Sequence, residues 1–107
     1  MAMTTKEIED MAAQALAEQK AALLAQQLDD DFKSIMATAS GRRFIWHLMA
    51  ECRPFQPIFH EESSIMYLRE GKRQIGLLLM ERCQSLCPEQ YLQTVAENRT
   101  YDPKEKD

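Results

Sequence analysis

The side chains in this chain that could carry chemistry begin with its thiols and imidazoles. Cys83 and Cys87 stand four residues apart, a spacing that puts both on one face of a helix. With Cys52, His47 or His60 they would supply the nitrogen and sulfur ligands that zinc takes. No CxxC knuckle accompanies them, and Cys87 abuts Pro88 at a helix junction. Cysteine commonly serves as a small buried hydrophobe, so neither a metal nor another cofactor is expected. A Cys–His nucleophile has no better support. His47 follows Trp46 on a helix and His60 precedes Glu61 and Glu62, and neither lies in a recognisable catalytic neighbourhood. The carboxylate runs Glu61-Glu62 and Asp29-Asp30-Asp31 suit the positive ends of helices. The residues therefore point away from an enzyme.

The basic groups carry more information. Arg42 and Arg43 open one helix, while Arg69, Lys72 and Arg73 occupy the first half of another. Arg69 and Arg73 are one turn apart and share a face. Glu70 and Glu51 stand ready as internal partners for Arg73 and Arg42, and Trp46 offers a ring on which a guanidinium can stack. The set Arg42, Arg43, Trp46, Arg69, Glu70, Lys72 and Arg73 thus reads as a salt-bridge network or a partner surface. The formal net charge is −4, but it is unevenly spread. Residues 1–31 carry Lys6 and Lys20 against seven acids, whereas residues 32–60 carry four basic groups against Glu51 alone. A nucleic-acid footprint brings a positive domain charge, so DNA contact through the five basic residues is the least favoured reading.

These residues need helices to position them. Thr4 with Glu7 three residues later fits a capping box, and alanines at 12, 13, 15, 17, 21, 22 and 25 raise helix propensity over 4–28. The apolar area there is thin. The arm reads either as a solvated, partly frayed helix or as a docked or oligomerising one, in which Ile8, Met11, Leu16, Leu23 and Leu24 are spaced as anchors for a partner groove. Asp29-Asp30-Asp31 either caps a short helix through Phe32, Ile35 and Met36 or sits inside a helix running on to 37. Thr38 is the predicted N-cap of a helix to Arg53, with Gly41 allowing a close backbone approach; Pro54 ends it. The loop holding Phe55, Ile58 and Phe59 is apolar enough to fold over the core. Ser63 or Ser64 is the expected cap of a helix reaching Leu86, with Leu68, Gly71, Ile75 and Leu78 or Leu79 as its buried stripe. Gly41, Gly71 and Gly76 are the candidate helix-packing positions. Pro88 opens a last short helix, and residues 98–107 read as a polar tail.

With 107 residues, three glycines and four prolines, the chain is short and poor in turn formers. It is expected to be all-α: two central packed helices in a core of 32–97, with a long acidic helical arm over 1–31. Lys6, Glu7, Glu9 and Asp10 interrupt any secretory leader, and Ile75–Met80 is the longest apolar stretch, far short of a membrane span. An odd number of cysteines suits reduced thiols in a cytoplasm.

Two motifs carry a resemblance. They are Gly41-Arg42-Arg43-Phe44-Ile45-Trp46 and, after the aromatic loop, Tyr67-Leu68-Arg69-Glu70-Gly71-Lys72-Arg73 followed by Gly76. In order and spacing this resembles a family of small helical proteins of tailed, mostly short-tailed, bacteriophages, named after a Bordetella phage gene product. It covers about residues 32–97. The resemblance implies a phage protein without enzymatic signature, in which the arginine clusters tie the two central helices together. The expected role is that of a virion protein near the portal or among internal proteins, made in the bacterial cytoplasm and bound to other phage proteins or to itself. The competing expectations are an accessory protein that binds a host protein, and a DNA-associated protein.

Overall fold

A computed structural model of the chain describes residues 2–99. Within them are four helices and no strand: α1 (Thr5–Met36), α2 (Ala39–Cys52), α3 (Ser63–Leu86) and α4 (Pro88–Asn98). The chain divides into two compact units, one ending at Phe32 and the other beginning at Lys33.

In the first unit the capping box forms as its spacing predicts. The Glu7 amide donates to Thr4 Oγ1 at 3.2 Å, and the Thr4 amide donates to Glu7 Oε2 at 3.4 Å. Asp29-Asp30-Asp31 does not break the helix, since aspartate costs only a few tenths of a kcal/mol in a helix interior, about as much as serine. Residues 2–28 are exposed throughout, among them Ile8, Met11, Leu16, Leu23 and Leu24. Ile8, Met11 and Ala15 share one face at 3.6 residues per turn, and Leu16 and Leu23 share another.

In the second unit α2 packs on α3, and α4 packs against both. The buried side chains are few: Met36, Ile45, Met49, Cys83, Cys87 and Thr94, with Arg42 among them. Thr38 caps α2 as expected, its Oγ1 accepting the Gly41 amide at 3.0 Å and donating to the Ile35 carbonyl at 3.1 Å. Gly41 is where a side chain will not fit, because a Cβ there would run into the Ile35 carbonyl oxygen and lie 2.8 Å from Thr38 Oγ1. Gly76 is the close approach between α3 and the end of α2: its Cβ would sit 2.8 Å from Cys52 Cβ and 3.3 Å from Pro54.

The phase of α3 differs from the expected one. Leu68 is 60% exposed, Ile75 54% and Leu78 45%, and a Cβ on Gly71 would meet no atom within 4 Å. α3 carries a second line of small and apolar residues, the buried Gly76 and Cys83 with the half-buried Met80, continued by buried Cys87 just past its end, and it is this line that turns inward. Small residues win the inward position because they let two backbones approach. Gly71 is therefore not a packing glycine but lies on an open apolar stripe.

Two local expectations also change. Glu62, not Ser63 or Ser64, is the N-cap residue of α3 and makes no side-chain cap bond; the Glu62 amide donates instead to His60 Nδ1 at 3.0 Å. The aromatic loop does not fold over the core: Phe55 is 78% and Phe59 75% exposed, and only Ile58 of that trio is half-buried. Pro88 opens α4 as expected, and α4 runs to Asn98. The remainder of the polar tail, beyond Arg99, lies outside the described residues.

Candidate functional site

Arg42 is the best-defined of the basic residues. It leaves the first turn of α2 and is buried, yet every polar reach of its guanidinium is matched. Nη1 donates to the Met36 carbonyl at 3.0 Å. Nε donates to both carboxylate oxygens of Glu97 on α4 at 3.2 Å, and Nη2 to Oε1 at 2.9 Å. This fork-to-fork geometry is the one arginine makes and lysine cannot. The hydrogen bond from Arg42 holds the Glu97 carboxyl below its usual range, and the Arg43 charge adds to the effect. Arg42 thus joins the end of α1 to α2 and α4. Its partner is Glu97 and not Glu51, because the carboxylate 55 residues away is the one that packing brings to it.

The second cluster is arranged differently. Arg73 pairs with Glu70 at 3.0 Å within α3, as the i,i+3 spacing suggests, and Gln74 donates to the same Glu70 oxygen. Arg69 Nη1 donates to the Phe59 carbonyl at 3.0 Å, pinning α3 to the loop. The clusters do not tie α2 to α3 as the resemblance implies. Arg42 binds α4 and the end of α1, Arg69 the loop, and Arg73 its own helix. Three of the five residues considered for DNA are thereby engaged within the fold.

Arg69 and Lys72 line a hollow of about 330 Å³ at the end of α2, together with Glu51, Cys52 and Arg53. Three cations face one carboxylate there. Arg53 enters it from a left-handed backbone, φ 48° and ψ 56°, the one non-glycine residue with positive φ among those described. Helices often end in this conformation, usually with glycine, because a Cβ is disfavoured there. Close by, Trp46, Met49, Pro54, Phe55, Met80 and Tyr91 line an apolar hollow of about 180 Å³. Trp46 therefore belongs to an apolar cleft. Neither hollow was legible in the sequence: Arg53 read only as a helix end, and Met80 and Tyr91 come from helices distant in the chain.

The thiols are free, Cys83 and Cys87 buried and Cys52 half-buried. Burial pushes the Cys83 thiol up to about 11, with Cys87 beside it adding to the rise. Burial raises Cys87 as well, against an opposing pull from Lys33. Thiols so placed are protonated at neutral pH and poor as nucleophiles or ligands. Among the described residues no group of three or more His, Cys, Asp or Glu side chains could hold a metal ion. No helix among them is long and apolar enough to cross a membrane.

The sequence profile of one family, the Bbp19-like phage proteins, matches residues 32–96, more than half of the chain. The chain belongs to this family. No curated protein and no solved structure matches it. The Bbp19-like segment begins where the second compact unit begins, within one residue, and takes in α2, α3 and nearly all of α4. It includes Gly41, Arg42 and Gly76, the residues whose surroundings leave least room for change. The arm anchors lie outside it.

Proposed function

We propose that this Bbp19-like protein is a non-enzymatic component of the phage particle that works through protein–protein contacts, in the portal and head–tail region or among the internal proteins. It would be made in the host cytoplasm and built into the virion there. The observation that carries this reading is the amount of apolar side chain the folded second unit leaves in water. Phe44, Tyr67, Leu68, Ile75, Leu78 and Leu92 are all exposed, beyond the aromatic loop. Scattered apolar residues are ordinary on a surface, but a stripe such as Leu68, Ile75 and Leu78 along one helix supports the reading of a contact surface. The exposed arm anchors add to it.

Mass spectrometry of purified virions tests the reading. The protein is expected at a fixed ratio to the major structural proteins through successive purification steps. Its presence in infected cells but not in particles would assign it instead to an accessory role on a host protein. Retention on DNA that falls steeply with salt would assign it to a DNA-associated role.

A further inference from the structure

We infer that the paired hollows at the end of α2 receive the acidic helix α1 of a second copy of this chain. The inference rests on the reading that the protein works through protein contacts, and names the partner for one surface.

The larger hollow is cationic: Arg53, Arg69 and Lys72 stand against Glu51. Arg69 spends one N–H on the Phe59 carbonyl, and a guanidinium has five to give. Arg53 caps α2 in the left-handed conformation, which carries its side chain to the lining of the hollow. The neighbouring hollow is apolar and bordered by Trp46, Phe55 and Tyr91. The ligand that fits both carries carboxylates beside aliphatic side chains along one short face. A polyanion such as DNA fits less well, since the chain as a whole carries −4 and the smaller hollow offers little to a phosphate backbone.

The chain supplies such a face itself. On α1, Ile8, Met11 and Ala15 share one side of the helix, and Glu7 and Glu18 border it at helical spacing. All five are exposed. Residues 1–31 hold most of the acidic excess, and the cationic excess lies in residues 32–60. A helix in a groove, with aliphatic anchors in the apolar part and acids over the basic part, is a common mode of peptide recognition.

Sedimentation of the full chain tests this. The wild type is expected to associate with rising concentration, and less so at high salt, where exposed charge pairs are screened. Arg53→Glu with Lys72→Glu, and separately Glu7→Lys with Glu18→Lys, should each weaken association by about tenfold or more, the scale of close interfacial charge pairs. Mixing the two variants should restore association, because the acidic arm of one meets the intact hollow of the other; circular dichroism checks that both are folded. A wild type that stays monomeric up to its solubility limit overturns the inference. So do variants that associate like the wild type, or DNA binding that disappears in the Arg53/Lys72 variant while association persists. Protein found in virions but monomeric in solution would overturn this inference alone and leave the virion reading standing.

Discussion

Replacing Arg42 by methionine keeps an unbranched stem in the buried position and removes the guanidinium. The Met36 carbonyl then loses a buried donor at 3.0 Å. A hydrogen bond from a charged group contributes about 1.5–3 kcal/mol. In a domain of this size each kcal/mol moves Tm by about 4–8 °C, so a fall of about 10 °C is expected. Glu97 adds a pH signature. Its folded carboxyl sits below its usual range because Arg42 bonds to it. A depressed folded value means stabilisation that is present above the unfolded value and lost as pH falls through the folded one. The wild type should therefore lose stability on acidification through a step that is smaller in Arg42→Met, where only Gln93 and Arg43 still favour the ionised carboxylate, and the gap between their melting temperatures should narrow. Thermal melts followed by far-UV circular dichroism, from neutral pH down into the acid range, measure both effects. A variant that melts with the wild type at neutral pH, or a gap that stays constant in acid, would refute the reasoning.

Leucine at Gly76 should destabilise the fold by at least about 1–3 kcal/mol through overpacking, whereas leucine at Gly71, with open space around it inside α3, should raise the chemical-denaturation midpoint slightly by removing glycine's helix cost of up to about 1 kcal/mol; a loss of stability at both would mean that the inward line of α3 is misplaced. At neutral pH, alkylation followed by intact mass should mark half-buried Cys52 first, with the buried Cys83 and Cys87 slower. Serine or alanine in place of all three cysteines should cost some stability but no partner binding. Deleting residues 1–28 should leave a second unit that still unfolds cooperatively but no longer assembles with itself or its partner; normal assembly, or a chain that no longer folds, would count against the arm as an assembly element.

The start of α1, both ends of α2 and the start of α4 were legible because their signals are local. Thr38, Pro54 and Pro88 each act within one turn, and Thr4 with Glu7 closes a box on itself. The phase of α3 was not, because hydrophobicity alone favours Leu68, Ile75 and Leu78, while backbone approach favours Gly76 and Cys83. A glycine–cysteine line is the signal that could have revealed it. Arg42 stood out as a candidate for pairing, but nothing local in the sequence singles out Glu97. The exposed Phe55 and Phe59 ran against the rule that large aromatics seek the interior.

The open stripe of Leu68, Ile75 and Leu78 has a practical consequence in the test tube. Dyes that brighten on apolar surface are used to mark loosely packed, molten states. This protein offers them such a surface in its folded state. A bright signal at room temperature would then report the native stripe and not a loss of structure. Dye-based melting curves would start high and flatten, and a partner that covers the stripe would dim the fluorescence while raising the melting temperature in proportion to its binding. Quenching of that native signal offers a direct screen for whatever binds there.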